Sequence, residues 1–536
     1  MPTTILFNGP IYTLDRSQPR VQALAIRDGR IVAMGSEGKV YGAIGGRGEA
    51  INLQGRAVIP ALTDAHVHLV WHGLASRNVQ LDGVEDFDEA LRRIEQAARR
   101  LPEGTWLQGR GWDHTRWGGR WPTAQDLDRV VPDRPVLLSR KDGHSAWVNS
   151  RALQIAGIDN DTPDPPGGAI KREKGRATGI LQETAIDLVR RHIPEATEEE
   201  QLAAVRDAIA EAHSYGMVGM HIPATMTPGD GKITLTTLQR LRDQGELKLR
   251  CLVYLGLDTL DEALALGLRS GLGDRWLRIG GIKMFADGTL GSETADMLAH
   301  YEGRRHFGMP VMPVEELNEY VRRAIAGGLS VAVHAIGDAA NRKVLDAVEA
   351  ALGAQPAAPP PPIPNRIEHC QVLHPRDIPR FAQLGVVASM QPIHCTSDME
   401  TAERLWGDRC AYAYAWRSLR DAGATLAFGS DAPVEPLNPW PGVHAAVTRQ
   451  RPGEVPPEGW YPEQRLSVEE ALYGFTCGAA QAAGAAHELG SLAVGKIADL
   501  AVLSADPFKV RPAELHGLQA ELTILEGEVV WERKTS

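Results

Sequence analysis

The segment Ala57-Val-Ile-Pro-Ala-Leu-Thr-Asp64-Ala-His66-Val-His68 decides how this sequence is interpreted. An apolar run that ends in two histidines one residue apart predicts a strand, and alternation along a strand sends residues i and i+2 to the same side. His66 and His68 can therefore direct both imidazoles at a single point, which is most simply a metal ion. Because a His-x-His pair is common by chance, further ligands elsewhere must decide between a metal site and ordinary packing.

Later segments repeat the pattern of a buried strand that ends in a polar side chain. Val331-Ala-Val-His334 and Asn365-Arg-Ile-Glu-His369 end in histidine, and Thr425-Leu-Ala-Phe-Gly-Ser-Asp431 runs into a carboxylate. Ile279-Gly-Gly-Ile-Lys283 places a lysine inside an apolar run, where an unpaired ammonium is costly to bury. Taken singly, each is equally well a capped core histidine, a turn aspartate or a snorkelling lysine. Together they predict a metal site.

The strand-like segments in the central part of the chain number eight, and they span residues 58–66, 217–221, 250–255, 279–284, 330–334, 365–369, 386–391 and 425–430. Helical patterns lie in several intervals, such as those that begin at Thr197 and at Val314. Eight βα units with the ligands at C-terminal strand ends predict an α/β fold, a TIM barrel with its active site at the usual face. The count places Lys283, His334, His369 and Asp431 on strands 4, 5, 6 and 8.

Both ends of the chain consist of short strand patterns with tight turns, as at Asp28-Gly29 and Glu526-Gly527. We expect residues 1–57 and 485–536 to complete one shared sheet or sandwich, and residues 58–484 to form the barrel. About 150 residues separate strands 1 and 2, so roughly residues 70–195 must form an insertion subdomain.

The insertion is rich in tryptophan, and it contains Trp71, Trp106, Trp112, Trp117, Trp121 and Trp147. The simpler interpretation is that these side chains build the core of the insertion. The functional interpretation is that some of them line a pocket for an apolar or aromatic substrate group. Trp112 and His144 are the substrate-binding candidates.

Composition limits the possible partners. The formal net charge of -11 and the isoelectric point near 5.9 argue against nucleic acid or an anionic membrane as partner. The five cysteines lack a Cys-x-x-Cys spacing, which favours reduced thiols over disulfides or a thiolate zinc site. We see neither a basic leader nor a long apolar run, and we therefore expect a cytoplasmic protein that acts on a small molecule.

The order of the candidate ligands resembles that of the metal-dependent amidohydrolase superfamily, and more narrowly its family 3, which includes N-substituted formamide deformylases. The same branch is matched by Gly143-His144-Ser-Ala-Trp147-Val-Asn149, Lys283-Met-Phe-Ala-Asp-Gly, His334-Ala-Ile-Gly-Asp and Gly429-Ser-Asp-Ala-Pro-Val. The resemblance covers essentially the whole chain. It implies the barrel, the two-part terminal β-sandwich and, less specifically, a homodimer.

The resemblance also implies two divalent metal ions, with zinc as the expected element. The first would be held by His66, His68 and Asp431, and the second by His334 and His369. Lys283 would bridge them as an N6-carboxylated lysine, which replaces a repelled ammonium by a paired anion. We interpret Asp64 as a partner that orients an imidazole and not as a ligand.

Such a centre predicts hydrolysis of a non-peptide carbon–nitrogen bond, in an N-substituted amide or formamide. Two metals lower the pKa of a bridging water and polarise a carbonyl, so a metal-bridging hydroxide would attack, with Asp431 as the proton shuttle. Three alternatives stay open: an esterase or lactonase with the same binuclear centre, a mononuclear deaminase of the same barrel, and a non-catalytic assembly protein on a degenerate barrel.

Overall fold

The computed structural model describes residues 3–45, 48–102, 104–141, 145–354 and 361–534. The chain separates into two compact units, of which one comprises Met1–Leu69 with Arg206–Ser536 and the other Val70–Val205. The barrel and both terminal segments belong to the first unit. The predicted domain boundaries after residues 57 and 484 therefore stay a prediction.

The first unit contains a nearly closed parallel sheet of eight strands, the predicted TIM barrel. Its strands are β1 (Leu62–Asp64), β2 (Met217–Pro223), β3 (Arg250–Gly256), β4 (Leu277–Phe285), β5 (Ser330–Ala335), β6 (Arg366–His369), β7 (Val387–Met390) and β8 (Leu426–Phe428). The first and last strands approach each other where the Ala65 N–H donates to the Phe428 carbonyl at 2.9 Å. Most strand residues are buried, which explains their continuous apolar runs.

The prediction of a single strand over residues 58–66 is wrong. Val58–Pro60 pairs antiparallel with residues 500–502 of a terminal sheet, whereas β1 pairs in parallel with β2. The segment changes sheet after Pro60, which has no N–H with which to continue a ladder. His66 and His68 consequently lie just beyond β1 rather than within a strand.

Both helices that the sequence predicts explicitly are confirmed. Glu198–Ser214 precedes β2, and the Thr197 hydroxyl and the Glu200 carboxylate cap its start reciprocally. Val314–Ala326 precedes β5 and ends at Gly327. Besides Val314–Ala326, the first unit contains the helices Glu37–Ala43, Asp230–Asp243, Leu260–Ala265, Asp338–Gly353, Ile378–Leu384, Pro392–Trp406, Trp416–Asp421, Pro439–Thr448, Val468–Tyr473 and Ala479–Ala482.

Two further sheets are built from the chain ends. The four-stranded sheet has the order Arg30–Gly35, Ala23–Arg27, Thr4–Phe7, Glu49–Asn52, and the six-stranded sheet has the order Glu528–Glu532, Ala520–Leu525, Leu500–Leu503, Val58–Pro60, Ile11–Tyr12, Arg20–Val21. Both predicted hairpin turns, at Asp28-Gly29 and Glu526-Gly527, are confirmed. The sheets share a hydrophobic cluster that includes Leu24, Val58 and Leu500. A separate β-sandwich domain stays a prediction.

The second unit is built on a six-stranded mixed sheet with the order Gly168–Glu173, Arg176–Glu183, Ser145–Val148, Val136–Arg140, Leu107–Trp112, Val79–Gln80. Its helices include Phe87–Ala98, Ala124–Asp128, Ser150–Ile155 and Asp187–Arg190. Trp112, Trp117 and Trp147 are buried together in one hydrophobic cluster, with Trp121 packed against it. These tryptophans therefore form a core within the unit.

The remaining expectations from composition concern thiols and membranes. All five cysteines are buried and free, as expected. Within the described ranges, no helix combines the length and the apolar character that a membrane crossing requires.

Candidate metal centre

The structure brings the six predicted metal-site residues to the C-terminal half of the barrel. Three of them belong to strands: Lys283 to β4, His334 to β5 and His369 to β6. The others follow β1 or β8 on connecting segments. Five of the six are buried and His68 is nearly so. Potential ligand atoms of His66, His369 and Asp431 all lie within 4.8 Å of one another.

Asp431 lies beside both histidines of the opening motif. Its Oδ1 atom is 3.2 Å from Nε2 of His68 and 3.5 Å from Nε2 of His66. The ring of His369 is 4.9 Å from that of His66 and 4.5 Å from that of His334, measured between centroids. The predicted ligands of both metals thus form one continuous cluster.

The four imidazoles share one feature: each has a ring nitrogen hydrogen-bonded to a protein oxygen, and that nitrogen must carry the proton. The pairs are His66 Nδ1 with Glu368 Oε2 at 2.6 Å, His68 Nδ1 with the Pro223 carbonyl at 3.1 Å, His369 Nδ1 with Gln391 Oε1 at 2.8 Å, and His334 Nε2 with the Gly288 carbonyl at 3.0 Å. In a neutral ring the other nitrogen then has the lone pair that a metal requires.

This assignment makes Asp431 Oδ1 an acceptor that faces two further acceptors, Nε2 of His66 and Nε2 of His68. In these tautomers the three lone-pair atoms repel one another unless a proton or a metal ion lies between them. Imidazole nitrogen and carboxylate oxygen are suitable ligands for zinc and other divalent metals. The donor set therefore fits a divalent cation.

Burial keeps the histidines in the protonation state that metals need. Desolvation lowers the pKa of His66 to about 4, although Glu368 acts in the opposite direction. Desolvation and the nearby Lys283 lower the pKa of His334 to about 3. The pKa of His369 lies well below its usual range, because of desolvation and then His334. All three rings are neutral at physiological pH.

Lys283 is buried among these rings. Desolvation lowers its pKa to about 8, while the carboxylates of Glu368 and Asp431 partly oppose that effect. Its ammonium lies 4.7 Å from the centroid of the Phe285 ring. A lysine with a lowered pKa has more of the neutral amine, which is the form that reacts with electrophiles.

A chain of buried polar groups leads from His66 into the barrel interior. The Glu368 carboxylate that accepts from His66 also lies 2.5 Å from the Arg366 guanidinium, and both side chains are fully buried. Burial alone would raise the pKa of Glu368, but Arg366 and His66 hold it well below its usual range. Arg366 Nη1 in turn donates to Nδ1 of His221 at 2.9 Å. Glu368 is therefore ionised, and its carboxylate accepts the hydrogen bond from His66 as an anion.

The two oxygens of Asp431 have different neighbours. Oδ1 faces His66 and His68, whereas Oδ2 lies 3.2 Å from Nε2 of His394. The other ring nitrogen of His394 is 3.7 Å from Glu435. Burial opposes protonation of His394, but hydrogen bonds to the two carboxylates raise its pKa to about 10. Asp431 thus has one oxygen toward the metal-ligand cluster and one toward a cationic imidazole.

Asp64 has a different role from the one predicted. Its carboxylate accepts the backbone N–H of His66 at 3.0 Å and the Ser430 hydroxyl at 2.5 Å, so it binds backbone and hydroxyl groups rather than an imidazole. These bonds tie the segment after β1 to the segment after β8. A Cβ at Gly429 would lie 2.4 Å from the His66 nitrogen, so this close approach requires glycine.

Two of the predicted ligands have an uncommon backbone conformation. His369 has a φ of 75° and Asp431 a φ of 61°, in the left-handed region that non-glycine residues rarely adopt. Such residues persist only where the surrounding structure holds them, and they cluster at functional sites. His369 ends β6 and Asp431 follows β8, so the two uncommon conformations coincide with predicted ligand positions.

The sequence also predicts two substrate-binding residues, Trp112 and His144. Trp112 is fully buried in its own unit, where its indole N–H donates to the Leu138 carbonyl at 2.7 Å, and this placement gives no support to a substrate-binding role. His144 lies outside the described residues. Sequence reasoning missed Glu368, His394 and Gln391. For His394 a signal existed, since it follows the predicted strand 386–391 by three residues.

Comparisons with known proteins identify the family of this chain. Residues 49–531 match the model of the Amidohydrolase family. Protein LONG AFTER FAR-RED 3 from Arabidopsis thaliana is 37% identical over 517 residues, which cover 93% of this chain and 87% of that protein. An N-substituted formamide deformylase from Arthrobacter pascens is 30% identical over 554 residues, covering 100% of this chain and 99% of that protein.

A solved structure is similar over nearly its full length. It is an uncharacterized metal-dependent hydrolase from Pyrococcus horikoshii OT3, with a TM-score of 0.78 and 30% sequence identity. The match covers 95% of this chain and 99% of that chain.

Proposed function

Because the chain belongs to the amidohydrolase family, we propose that it hydrolyses the carbon–nitrogen bond of an N-substituted amide or formamide with a binuclear metal centre. The resemblance inferred from the sequence is confirmed, and the relatives support a metal-dependent enzyme that hydrolyses amide-type bonds. The observation that carries the proposal is the arrangement around Asp431 Oδ1. Two imidazole nitrogens with available lone pairs face this carboxylate oxygen at 3.2 and 3.5 Å.

The proposal assigns the ligands of this cluster to two metals. His66, His68 and Asp431 would hold the first metal, and His334 and His369 the second. Zinc is the proposed element, since neutral imidazole and carboxylate are its usual ligands besides thiolate. When bound, the two metals supply an activated water and polarise the substrate carbonyl.

Lys283 would bridge the metals after carboxylation of its side-chain nitrogen. Its burial among imidazoles supports this, because an ammonium would repel two divalent cations whereas a carbamate attracts them. In the reaction that forms the carbamate, the neutral amine of Lys283 bonds to the carbon of carbon dioxide and loses one proton to solvent.

Asp431 is the proposed proton carrier. Its Oδ2 atom lies away from the metal ligands and beside His394, so it can take a proton from the attacking water and pass it to the leaving nitrogen. His394 keeps this oxygen oriented. Glu368 and Gln391 keep the rings of His66 and His369 in fixed tautomers through their hydrogen bonds.

The substrate is proposed to have an apolar group beside the amide. Exposed apolar side chains lie in loops that follow β2, β4 and β8, and they are Met226, Phe307, Met309 and Val434. Such loops line the catalytic face of a TIM barrel. The formamide deformylase relative supports N-substituted formamides as the first substrates to test.

The decisive experiment replaces the lysine and counts metal. We expect wild-type protein to bind two metals per chain and Lys283→Ala to bind at most one, with hydrolysis reduced by about two orders of magnitude or more. The substrates would be N-substituted formamides, acylated amino acids, cyclic amides and lactones. Lys232→Ala, at an exposed position on the helix Asp230–Asp243, is the matched control.

Carboxylation of Lys283 can be measured separately from metal content and activity. Metal-depleted protein reconstituted with ¹³C-bicarbonate and zinc should give a carbamate carbon signal that is absent from Lys283→Ala. A single metal with full activity in that variant would refute the binuclear proposal and favour a mononuclear deaminase. Turnover of lactones alone would favour an esterase.

A further inference from the structure

A cavity of about 290 Å³ lies in the first unit, near the N-terminal ends of β2, β3 and β4. Its wall includes Val218, Leu252 and Arg278 from these strands, and residues 479–485 contribute alanines. Side chains normally fill the interior of a TIM barrel in layers. Here Gly219 and the alanines contribute little volume, so space remains for one small organic molecule or several waters.

Two of the three arginines that line the cavity are neutralised by carboxylates. Arg250 is bidentate with Asp499, at 2.7 and 3.0 Å. Arg275 pairs with Glu526 at 3.0 Å. The positive charge of each of these two guanidinium groups is therefore balanced by a carboxylate.

The third arginine, Arg278, has no such partner. Among the described residues its one hydrogen bond runs from Nη2 to the Ala483 carbonyl at 2.9 Å, and none of them forms an ion pair with it. The other acids of the cavity wall are engaged elsewhere: Asp274 with Arg242 and Glu488 with Arg30. Arg278 thus lines the cavity as a partly desolvated guanidinium whose other side-chain N–H groups have no hydrogen bond to the described residues.

His221 supplies a second donor to the cavity wall. Arg366 Nη1, which can only donate, lies 2.9 Å from Nδ1 of His221. Nδ1 must therefore accept, and the neutral ring carries its proton on Nε2. His221 is thus a hydrogen-bond donor toward any partner that reaches Nε2.

We propose that this cavity is a binding site for a small aliphatic carboxylate, with Arg278 as the principal contact and His221 as a second donor. A guanidinium matches a carboxylate through two parallel N–H···O bonds. Leu252, Ala483 and Leu489 offer the apolar wall that a short alkyl chain requires. The site is separate from the candidate metal ligands and does not depend on the proposed hydrolysis.

The test uses the metal-free, full-length chain. Butyrate, succinate, phosphate and chloride are compared at equal ionic strength by calorimetric titration and by the shift in Tm. We expect saturable stabilisation by the carboxylates and little by chloride. Arg278→Gln should weaken carboxylate binding by about tenfold or more. Arg275→Gln, on the same cavity but paired with Glu526, should bind as the wild type does.

Several outcomes would overturn the proposal. These are equal carboxylate binding by wild type and Arg278→Gln, stabilisation by chloride equal to that by butyrate, and preference for phosphate. If Arg278→Gln does not fold, Ala480→Leu, which places a larger side chain in the cavity wall, should abolish binding. Crystals soaked in a bromo-carboxylate should show bromine near Arg278, and its absence at saturation would contradict the site. None of these readouts needs metal or turnover.

Discussion

The two ends of the barrel bury polar groups in opposite ways. At the N-terminal end Arg250 and Asp499, both nearly fully buried, neutralise each other through two hydrogen bonds. At the C-terminal end His66 and His68 turn acceptor nitrogens toward the carboxylate of Asp431. The first arrangement is a charge pair within the protein, whereas the second is the set of groups that we propose to bind metal. A TIM barrel of this kind is expected to keep stabilising contacts at its N-terminal end and the residues of the proposed reaction at its C-terminal end.

The largest effect should follow from Asp431→Asn. The amide keeps the shape of the side chain but cannot carry a proton, so kcat should fall by about 10²–10⁴. Turnover is measured with the best substrate from the substrate screen described above. Urea unfolding of the metal-free protein gives the free energy of unfolding. If Asp431→Asn lowers the free energy of unfolding by more than Arg250→Met does, the two ends of the barrel do not differ in the way described above.

At the other end, Arg250→Met should destabilise the protein by about 3–5 kcal/mol, because it leaves the Asp499 carboxylate buried without its cation. Urea unfolding gives the free energy of unfolding, and metal content should be unchanged in the protein that folds. Adding Asp499→Leu should recover much of the loss. A double variant no more stable than the single one would show that the charge pair is not the cause.

Glu368→Gln should weaken metal binding by about 10–100-fold, because a carboxylate that holds a ligand imidazole increases its basicity and fixes its orientation. Competition with a chelator measures the affinity. Glu319→Gln removes an exposed carboxylate paired with Arg322 and serves as the control. Unchanged affinity in Glu368→Gln would mean that Arg366, rather than His66, is the partner that matters for this carboxylate.

The smallest effect should come from Ser430→Ala. It removes the hydroxyl that donates to Asp64 at 2.5 Å, while two backbone N–H groups still bind that carboxylate. We expect a loss of about 1–2 kcal/mol in the free energy of unfolding. Ser397→Ala, at an exposed position, removes a hydroxyl that donates to Oε1 of Glu435 and is a matched change. An equal loss of stability in that variant would mean that the Asp64 bond is not special.

The sequence was sufficient for the barrel and for the cluster of six residues because both depend on local signals. A buried parallel strand is a continuous apolar run, and a polar residue at its end stands out. The break after Pro60 was not predictable in this way, since the strand that pairs with Val58–Pro60 begins at Leu500. The alternation of apolar and polar residues depends only on neighbours in the sequence, so it cannot indicate a pairing strand so far along the chain.

The missed residues have a similar explanation. Strict alternation places Glu368 and His369 on opposite faces of β6, yet both contact site residues because His369 lies in the left-handed region. His394 lies on the helix Pro392–Trp406, three residues beyond the predicted strand 386–391, so only its position near that strand end could have indicated it. Asp64 was predicted on the correct segment, but its carboxylate binds backbone groups that only the closed barrel brings near.

The change of sheet after Pro60 also determines when the centre is completed during synthesis. Val58–Pro60 lies between Ile11–Tyr12 and Leu500–Leu503, and the second neighbour leaves the ribosome only when nearly the whole chain has been made. Pairing between segments so distant in sequence is slow. Asp431 also arrives late. A nascent chain therefore has the first two histidines long before the carboxylate that lies beside them in the folded protein.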